Sequence, residues 1–381
     1  MEYTLEELFD LQMGKTPSRN NPKYWNTEDN KWIAIGDLSK CGKYISDTKE
    51  YLSDQAVKDS GISLIPKNTV IMSFKLSIGK TAITKEAMYS NEAIMSFRDK
   101  GIVELIPDYI YYLFKAKDWD EGTNKAVMGK TLNKATLSKV KINVTDITQQ
   151  KEIVEILDKV NDVIEARKRE LEELDNLIKS RFVDMFGDYD LSHNKNEWKP
   201  ISQVGKVVGG ATPKTNVEEY WDGEYRWITP AELDSDSGYI YDSVRKLTLA
   251  GIESCSLQEM PIGTVILSSR APIGKVAIAG KTFYCNQGFK NIICSEEIVP
   301  RYLYTILLLN TKHLNSLGRG ATFKEISKSI VESIRIPVPP VEEQRTFEEF
   351  VNKVDKLKFE VQKSLEEAQI LMNSLMQQYF G

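Results

Sequence analysis

Several residue types that often carry chemistry are scarce in this sequence of 381 residues. Its two histidines, His193 and His313, lie far apart and lack the spacing of metal ligands. Its four cysteines show no Cys-x-x-Cys spacing, which favours a reduced, cytoplasmic protein over a disulfide-stabilised one. No run approaches the ~20 apolar residues of a membrane helix, and the acidic N-terminus has no apolar signal core.

Sequence motifs of self-sufficient enzymes are also missing. There is no Gly-x-x-x-x-Gly-Lys-Ser/Thr loop for phosphates, and no glycine-rich nucleotide loop follows an early strand. Residues 21–24 (Asn-Pro-Lys-Tyr) resemble the Asn-Pro-Pro-aromatic motif of DNA adenine methyltransferases, but the second proline is absent. We interpret the segment as a turn and predict no catalytic site, cofactor or metal. A stand-alone adenine methyltransferase stays open as an alternative.

The charge is distributed unevenly along the chain. The formal net charge of −5 divides into +1 for residues 1–147, −5 for 148–190, +2 for 191–340 and −3 for 341–381. The acidic residues are thus concentrated in two segments. A basic face on the other two is allowed, but the charge alone does not establish one.

The sequence contains an internal repeat at a shift of about 195 residues. The matching segments are Gly-x-Thr-Pro at 14–17 and 210–213, Tyr-Trp at 24–25 and 220–221, Ile-Gly-Lys at 78–80 and 273–275, and a glycine-containing segment at 129–131 and 320–322. Short β-branched runs such as 69–72 and 264–267 predict strands, and the stretches 108–115 and 300–309 predict helices. We therefore predict an α+β fold with two similar globular modules.

Each module is followed by a long segment with helical periodicity. Apolar residues recur with alternating steps of three and four in 148–186 and in 341–378, where the second segment follows two prolines. The predicted seam residues are Ile153, Leu157, Val160, Ile164, Leu171, Leu174 and Ile178 in the first helix, and Phe347, Phe350, Val354, Leu357, Val361, Leu365, Leu371 and Leu375 in the second. Because such seams are unstable in water, we expect the helices to pack antiparallel as a coiled coil, with pseudo-twofold symmetry.

Two similar modules joined by rigid helices are suited to a linear target with two similar parts. Duplex DNA is such a target, since the symmetry of a protein mirrors the spacing of half-sites. The alternative is a duplicated structural coiled-coil protein that does not bind DNA and whose helices only bury apolar surface.

The order module, long helix, module, long helix resembles the specificity subunit of Type I restriction-modification systems. The resemblance covers nearly the whole chain and includes Pro-Pro-Val-Glu-Glu-Gln-Arg at 339–345, although the first helix entry lacks the paired prolines. It implies target recognition domain 1 at 1–147, a central spacer helix at 148–190, target recognition domain 2 at 191–340 and a C-terminal spacer helix at 341–381.

The same resemblance implies a non-catalytic subunit that recognises double-stranded DNA. Each module is expected to read one half of a bipartite site, and the helices to set the spacer and dock two copies of a methyltransferase subunit. A translocating nuclease subunit is an optional further partner. Arg167 interrupts the first seam, and we hypothesise that it faces a docked subunit rather than the second helix.

Three regions of each module are predicted to contact DNA, because they offer donors and acceptors for base edges and phosphates. They are the loop after Gly-x-Thr-Pro, the Ile-Gly-Lys turn and the glycine-containing segment near the end of the module. The candidates in the first module are Lys15, Thr16, Ser18, Arg19, Asn20, Lys23, Ser73, Lys75, Ser77, Lys80, Lys130, Thr131, Asn133 and Lys134. Those in the second are Lys214, Thr215, Asn216, Ser269, Arg270, Lys275, Arg319, Thr322 and Lys324.

Other repeated residues are predicted to serve the fold. The tryptophans at positions 25, 32, 221 and 227 are expected in the core, and the glycines at 14, 79, 210 and 274 in turns. The candidate DNA contacts differ between the copies at many positions, such as Lys75 and Arg270. Such differences are expected of modules that read different half-sites.

Overall fold

The computed structural model describes residues 1–25, 27–75, 77–119, 133–187, 189–233, 238–270, 272–320 and 324–381. The chain forms two compact units, of which one combines residues 1–167 with 364–381 and the other contains residues 168–363. Each unit therefore contains one globular module and a part of both long helices. The four-segment division expected from the sequence stays a prediction.

The first module consists of short strands and helices and leads into the first long helix. Its elements are β1 (Glu2–Thr4), α1 (Leu5–Leu8), β2 (Phe9–Met13), β3 (Asn30–Ile33), α2 (Ile35–Leu38), β4 (Tyr44–Ile45), β5 (Glu50–Leu52), α3 (Asp54–Ser60), β6 (Val70–Ser73), β7 (Thr81–Thr84), β8 (Tyr89–Ser90), β9 (Ile94–Asp99), α4 (Pro107–Ala116), α5 (Lys134–Ser138), β10 (Lys141–Asn143) and α6 (Ile147–Phe186).

The second module repeats this order almost element for element. Its elements are β11 (Lys199–Pro200), α7 (Ile201–Val204), β12 (Gly205–Gly209), β13 (Trp221–Ile228), β14 (Tyr239–Ile240), β15 (Arg245–Leu247), α8 (Leu249–Ser254), β16 (Val265–Leu267), β17 (Val276–Ala279), β18 (Tyr284–Cys285), β19 (Lys290–Cys294), α9 (Pro300–Leu309), α10 (Thr311–Leu317), α11 (Lys328–Ser333), β20 (Arg335–Ile336) and α12 (Val341–Phe380).

The two modules share one sheet topology. A five-stranded sheet has the order β2-β9-β6-β7-β4 in the first module and β12-β19-β16-β17-β14 in the second. A three-stranded sheet follows the order β5-β3-β8 in one and β15-β13-β18 in the other, and each module has a further strand pair, β1-β10 or β11-β20. The predicted α+β fold with two similar modules is confirmed.

A buried helix packs on the five-stranded sheet of each module. Helix α4 begins at Pro107 and helix α9 at Pro300, where proline is tolerated because its missing N–H has no intrahelical acceptor. Most side chains of both helices are buried, including Tyr112 and Tyr302. Both helices predicted from the sequence, at 108–115 and 300–309, are confirmed.

A buried glutamine near the start of each long helix ties that helix to its own module. The side chain of Gln150 accepts from the Ile106 N–H at 3.0 Å and donates to the carbonyls of Glu104 and Thr145, also at 3.0 Å. Gln344 makes the same three bonds with its own module, at 2.8 to 3.0 Å. Both side chains are 0% exposed. The two helix entries are thus equivalent, although only the second has paired prolines.

The two long helices pack antiparallel within each unit. In the first unit, Leu157 near the start of α6 and Met376 near the end of α12 join the core of the first module. In the second unit, Phe182 near the end of α6 lies 5.3 Å, between ring centroids, from Phe347 near the start of α12. The described helices include none long and apolar enough to cross a membrane.

The apolar seam of α12 differs from the prediction at two positions. Leu357 and Leu371 are 51% and 50% exposed, whereas Val354, Val361 and Leu365 are buried as expected. A helix turn of 3.6 residues brings positions 358 and 372 inward, one residue beyond the two leucines. Lys358 lies there and donates to Asp175 of α6 at 2.6 Å.

Candidate nucleic-acid interface

Two tryptophans hold the Gly-x-Thr-Pro loop of the first module. The indole Nε1 of Trp32 donates to the carbonyl of Lys15 at 3.0 Å, and that of Trp25 donates to the carbonyl of Ser18 at 3.1 Å. Trp32 is buried and Trp25 half-buried, with ring centroids 4.9 Å apart. We call residues 14–23 the first anchored loop.

The second module holds its loop in the same way. Trp227 donates to the carbonyl of Ala211 at 3.1 Å, and Trp221 donates to that of Lys214 at 3.2 Å. Both tryptophans are buried, as predicted, and their ring centroids are 5.1 Å apart. Residues 210–216 are the second anchored loop, whose backbone carbonyls are fixed at positions equivalent to those in the first.

Each anchored loop begins at a position that only glycine can occupy. A Cβ at Gly14 would lie 2.1 Å from the carbonyl oxygen of Ser90, and one at Gly210 would lie 2.1 Å from that of Asn286. Both distances are far below a permitted contact, so the loop backbone packs directly on the neighbouring strand. The glycines predicted as turn residues therefore position the loops by close approach.

The anchored loops expose their polar side chains and bury their proline. Side chains of Thr16 and Thr212 bond inward to Glu92 and Gln287, respectively. The predicted contacts that lie exposed are Lys15, Ser18, Arg19, Asn20 and Lys23 in the first loop, and Lys214, Thr215 and Asn216 in the second. These loops thus offer different donors and acceptors on the same backbone frame.

The Ile-Gly-Lys turns require a change to the predicted contacts. Ser73 and Ser269 are 0% exposed, because Ser73 bonds to the carbonyl of Ser77 and Ser269 accepts from Lys290 at 3.2 Å. A buried hydroxyl is not available to a base edge, so the prediction of DNA contact for Ser73 and Ser269 is corrected. They shape the turn instead.

The lysines that end these turns are bonded within their own modules. Lys80 donates to the hydroxyl of Ser39 at 2.5 Å, and Lys275 donates to the carbonyl of Leu233 at 3.0 Å. Both, like Lys75 and Ser77, are partly exposed. For Lys80 and Lys275, the predicted contact with DNA requires the ammonium group to leave its present partner for the DNA.

The third region of the second module lies beside Arg270. The N–H of Ile326 donates to the carbonyl of Ser269 at 2.9 Å, and Arg319 and Glu325 exchange two backbone bonds of 3.0 Å. Arg270, which is exposed, donates to the carboxylate of Glu325 at 3.0 Å. Arg319 and Lys324 are exposed beside it, whereas predicted contact Thr322 lies outside the described residues.

The third region of the first module is described only from Asn133 onward, so predicted contacts Lys130 and Thr131 lie outside the described residues. Asn133 caps helix α5, where its side chain accepts from the Thr136 N–H at 2.8 Å. Lys134 follows it and is exposed. The predicted role of Asn133 therefore competes with a structural one, since its side-chain oxygen already serves the helix.

The strand order brings these regions to one end of the five-stranded sheet. In the second module, Gly209 at the end of β12 lies opposite Lys290 at the start of β19, and Ser268, just after β16, pairs with Phe289. The first module repeats this arrangement, with Met13 and Met72 both paired to Met95. The anchored loop and the Ile-Gly-Lys turn therefore lie next to each other in both modules.

Glu325 and Lys290 belong to this cluster but were missed by the sequence reasoning. Lys290 donates to Glu325 at 3.2 Å. Burial raises the pKa of Glu325, but its hydrogen bonds and ion pairs with Lys290 and Arg270 outweigh burial and leave that pKa below its ordinary value. The carboxylate is thus ionised at neutral pH and holds Arg270 in a defined direction. The repeat does not point to Lys290, because its matching position in the first module is Met95, which carries no charge.

Arg167 contacts the second helix, contrary to the expected direction. Its Nε donates to the hydroxyl of Ser364 at 3.1 Å, and the bond is partly buried within the first unit. The seam of α6 places Arg167 inward, where a small serine leaves room for a guanidinium. Its predicted role in docking a partner is not addressed by this contact and stays a prediction.

The fold and the loop clusters define a protein with two copies of one α+β module, each presenting a polar loop cluster at one end of its sheet. The family described as Type I restriction modification DNA specificity domain matches residues 1–176 and again 194–370. The two matches correspond to the two copies of the repeat. The chain belongs to this family.

Curated relatives carry the same description. The MjaIX specificity subunit of a Type I restriction enzyme from Methanocaldococcus jannaschii is 38% identical over 187 residues, which are 48% of this chain and 43% of that relative. The EcoR124I/EcoR124II specificity subunit from Escherichia coli is 25% identical over 362 residues, 86% of this chain and 87% of that relative. The match thus spans under half of the first relative and most of the second.

Solved structures share the fold over the full length. A chain from a study of complex assembly and conformational transition in a type I R-M system aligns with a TM-score of 0.61 at 15% identity, covering 100% of this chain and 97% of that one. The S subunit of a Type I restriction-modification system from M. genitalium aligns with a TM-score of 0.56 at 15% identity, covering 99% and 94%.

Proposed function

We propose that this chain is the specificity subunit of a Type I restriction-modification enzyme and that it reads a bipartite sequence in double-stranded DNA. Residues 1–147 and 191–340 are the two target recognition domains, and each reads one half of the site. The chain carries no catalytic site in this proposal. Methyl transfer and any cleavage belong to its partners.

One observation carries the proposal, namely two anchored loops with equivalent backbones and different exposed side chains. Paired tryptophans fix the loop backbones at equivalent carbonyls. The first loop then exposes Ser18 and Arg19, where the second exposes Lys214 and Thr215. Equivalent loop backbones that present different donors and acceptors are suited to two modules that read different base sequences.

The long helices support the proposed spacer. Helices α6 and α12 have 40 residues each, which corresponds to about 60 Å of helix. Each helix passes without a break from one compact unit into the other. We infer that this pair sets the number of base pairs between the half-sites and provides the surface for two methyltransferase subunits. A translocating nuclease subunit is a further partner of the assembled enzyme.

Methylome sequencing tests the proposal. The full-length chain is expressed with a tag in its own cells, purified with its partners, and deleted in a parallel strain. We expect a co-purifying methyltransferase and a methylated motif with two specific halves around a fixed spacer, and we expect that motif to disappear in the deletion strain.

Other outcomes identify the two alternatives. Methyl transfer by the purified chain without any partner would identify a stand-alone methyltransferase. A deletion strain with unchanged methylation, together with no sequence-dependent DNA binding by the purified assembly, would identify a structural coiled-coil protein.

A further inference from the structure

A guanidinium group covers the tryptophan pair in each module, but it comes from different places in the chain. In the first module, Arg19 of the anchored loop lies with its Cζ 3.7 Å from the ring centroid of Trp25. In the second, Arg245 of β15 lies with its Cζ 3.4 Å from the ring centroid of Trp221. Contact with the face of an indole orients a guanidinium and attracts its charge. Both modules thus hold a pre-oriented cation at the anchored loop.

Strand register explains how the two arrangements are related. Arg245 lies opposite Trp227 in the pairing of β15 with β13. In the first module, the position opposite Trp32 in the pairing of β5 with β3 is Glu50. Glu50 accepts two hydrogen bonds from Arg19, of which the one from Nη2 is 3.1 Å. The first module therefore has an acid at the position where the second has an arginine.

The difference between Glu50 and Arg245 at this position changes the charge that each module presents. The hydrogen bond between Arg19 and Glu50 raises the pKa of the arginine and lowers that of the glutamate, so both are ionised and neutralise each other. Arg245 is exposed, and within the part of the chain that the structure describes no carboxylate forms an ion pair with it. Its positive charge therefore has no counter-ion among the described residues.

We propose that Arg245 binds a backbone phosphate of DNA in the second module, and that Glu50 withholds Arg19 from the same role in the first. The proposal rests on the proposed function. With its face on Trp221, a guanidinium keeps the N–H groups at its edge for a bidentate bond to phosphate. Trp221 also holds the backbone of Lys214, an exposed lysine of the same loop. Contact with a phosphate would fix the register of that loop on the duplex.

Salt-dependent binding to DNA tests this role, because each phosphate contact adds about 0.9 to the slope of log K against log salt concentration. The full-length chain is purified with its partner subunits and titrated against a labelled mixed-sequence duplex of about 30 base pairs, between about 50 and 200 mM salt. The variants are Arg245→Gln and Arg245→Lys. Lys206→Gln is the matched control, since Lys206 is exposed near the start of β12, whereas the anchored loop follows the other end of that strand.

We expect Arg245→Gln to weaken binding about tenfold at the lowest salt and to reduce the slope by about 0.9, while Lys206→Gln leaves both unchanged. Arg245→Lys keeps the charge and should retain most of the slope. An Arg245→Gln variant with the wild-type slope would overturn the proposal. So would an Arg245→Lys variant that loses as much as Arg245→Gln, because contact with Trp221 alone would then explain the loss.

Glu50→Gln tests the first module in the opposite direction. Release of Arg19 should strengthen binding and increase the slope by about 0.9. The double variant Arg19→Gln with Glu50→Gln should return the slope to the wild-type value, because it removes one charge of each sign. A Glu50→Gln variant indistinguishable from wild type would overturn the claim that Glu50 withholds Arg19.

The wild-type chain separates this inference from the proposed function. A wild-type assembly that does not bind DNA would overturn both. A wild-type assembly that binds, with Arg245→Gln at the same affinity and slope, would overturn only the role of Arg245. A loss of affinity confined to one base sequence would indicate that Arg245 contacts a base rather than a phosphate, and would overturn the assignment. Melting temperatures of all variants are measured to confirm that the compared proteins are folded.

Discussion

Arg301 donates through its guanidinium to the carboxylate of Asp355 at 2.7 Å, and this bond fastens α9 of the second module to the long helix α12. The side chain of Arg301 is 4% exposed. Gly238 makes room for it, since a Cβ there would lie 2.8 Å from Nη1 of Arg301. A fully packed arginine thus joins the module to its helix.

The first module makes this junction with a different cation. Lys43, which occupies the position matching Gly238 in the repeat, contacts the carboxylates of Asp108 and Asp158 at 2.5 Å each. Its side chain is 6% exposed. Asp158 belongs to the long helix α6 and also accepts from the hydroxyl of Tyr112 at 2.6 Å. Both modules therefore have an ion pair that joins the module to a long helix, but different residues form it.

Arg301→Met should destabilise the second unit by about 2–4 kcal/mol, because the half-buried carboxylate of Asp355 would lose the cation that offsets its burial. Replacing both partners, with Asp355→Leu and Arg301→Met, should restore most of the loss. Urea unfolding of the full-length chain measures the free energies. Glu332→Gln is the control, since its ion pair with Lys328 is solvent-exposed and should contribute under about 1 kcal/mol. Equal stability of Arg301→Met and wild type would contradict the junction's role.

Asp108 and Asp355 should respond to pH with opposite sign. Burial raises the pKa of Asp108, but hydrogen bonds from Lys43 and Tyr44 outweigh burial and leave it below the ordinary value. Its ionised form therefore contributes stability above the unfolded pKa, which is lost as pH falls through the folded pKa. Burial leaves the pKa of Asp355 raised despite Arg301. Its contribution is present below the unfolded pKa and is lost as pH rises through the folded one.

The pH prediction is measured as a difference between wild type and variant. From pH ~6 towards pH ~3, the stability difference between wild type and Asp108→Asn should shrink, whereas that for Asp355→Asn should grow. Urea unfolding at several pH values gives both differences. Parallel slopes for the two variants would show that the assigned pKa shifts do not differ in sign.

Trp221→Phe tests whether the anchored loop reads DNA. Phenylalanine keeps an aromatic ring but removes the N–H that holds the carbonyl of Lys214, so a stability loss of about 1 kcal/mol is expected. The second half-site should lose specificity while the first keeps it. Trp25→Phe should do the reverse. Binding to duplexes with substitutions in one half-site measures this, and equal losses at both half-sites from either variant would contradict it.

Exchanging residues 191–340 for those of a relative should change one half of the methylated motif. The other half and the spacer should be preserved, because the first module and both long helices are unchanged. Methylome sequencing of cells that carry the exchanged chain reads the result directly. Simultaneous changes in both halves would contradict independent modules.

Arg167→Leu distinguishes a seam contact from a docking contact. If Arg167 docks a methyltransferase subunit, the leucine variant should assemble less well with that subunit, although leucine fills the apolar seam. Loss of the bond to Ser364 alone should leave assembly unchanged and alter only stability. Ser364→Ala is the matched control, since it removes that bond and keeps the arginine. Stronger assembly of Arg167→Leu would rule out a docking role.

The duplicated sequence was sufficient to predict the module fold, the buried helices and the paired long helices, because each repeats a pattern set by burial. The seam was less predictable. Leu357 and Leu371 satisfy an apolar pattern as well as their neighbours do, and only the packed helix decides which positions face inward. Lys358 faces inward because Asp175 offers it a partner, which hydropathy does not register.

Site residues were harder to predict, because the sequence does not report side-chain direction or partners. Ser269 directly precedes the exposed Arg270, and Ser73 lies two residues before the partly exposed Lys75, yet both serines are buried. Arg245 was missed because its match in the repeat is Glu50. The sequence comparison does not show that each of these residues lies opposite a tryptophan of the pair in its own module. Strand register reveals the relation.

The composition of the first compact unit has a consequence for synthesis of the chain. Met372, Leu375 and Phe380 pack against its core and are made after the whole second unit, which is contiguous from 168 to 363. During translation the first module must therefore wait for residues 364–381 of α12, and the second module can close before it. Loss of residues 364–381 would damage the first module, and a nascent chain would keep the apolar surface of that module accessible to chaperones until those residues are made.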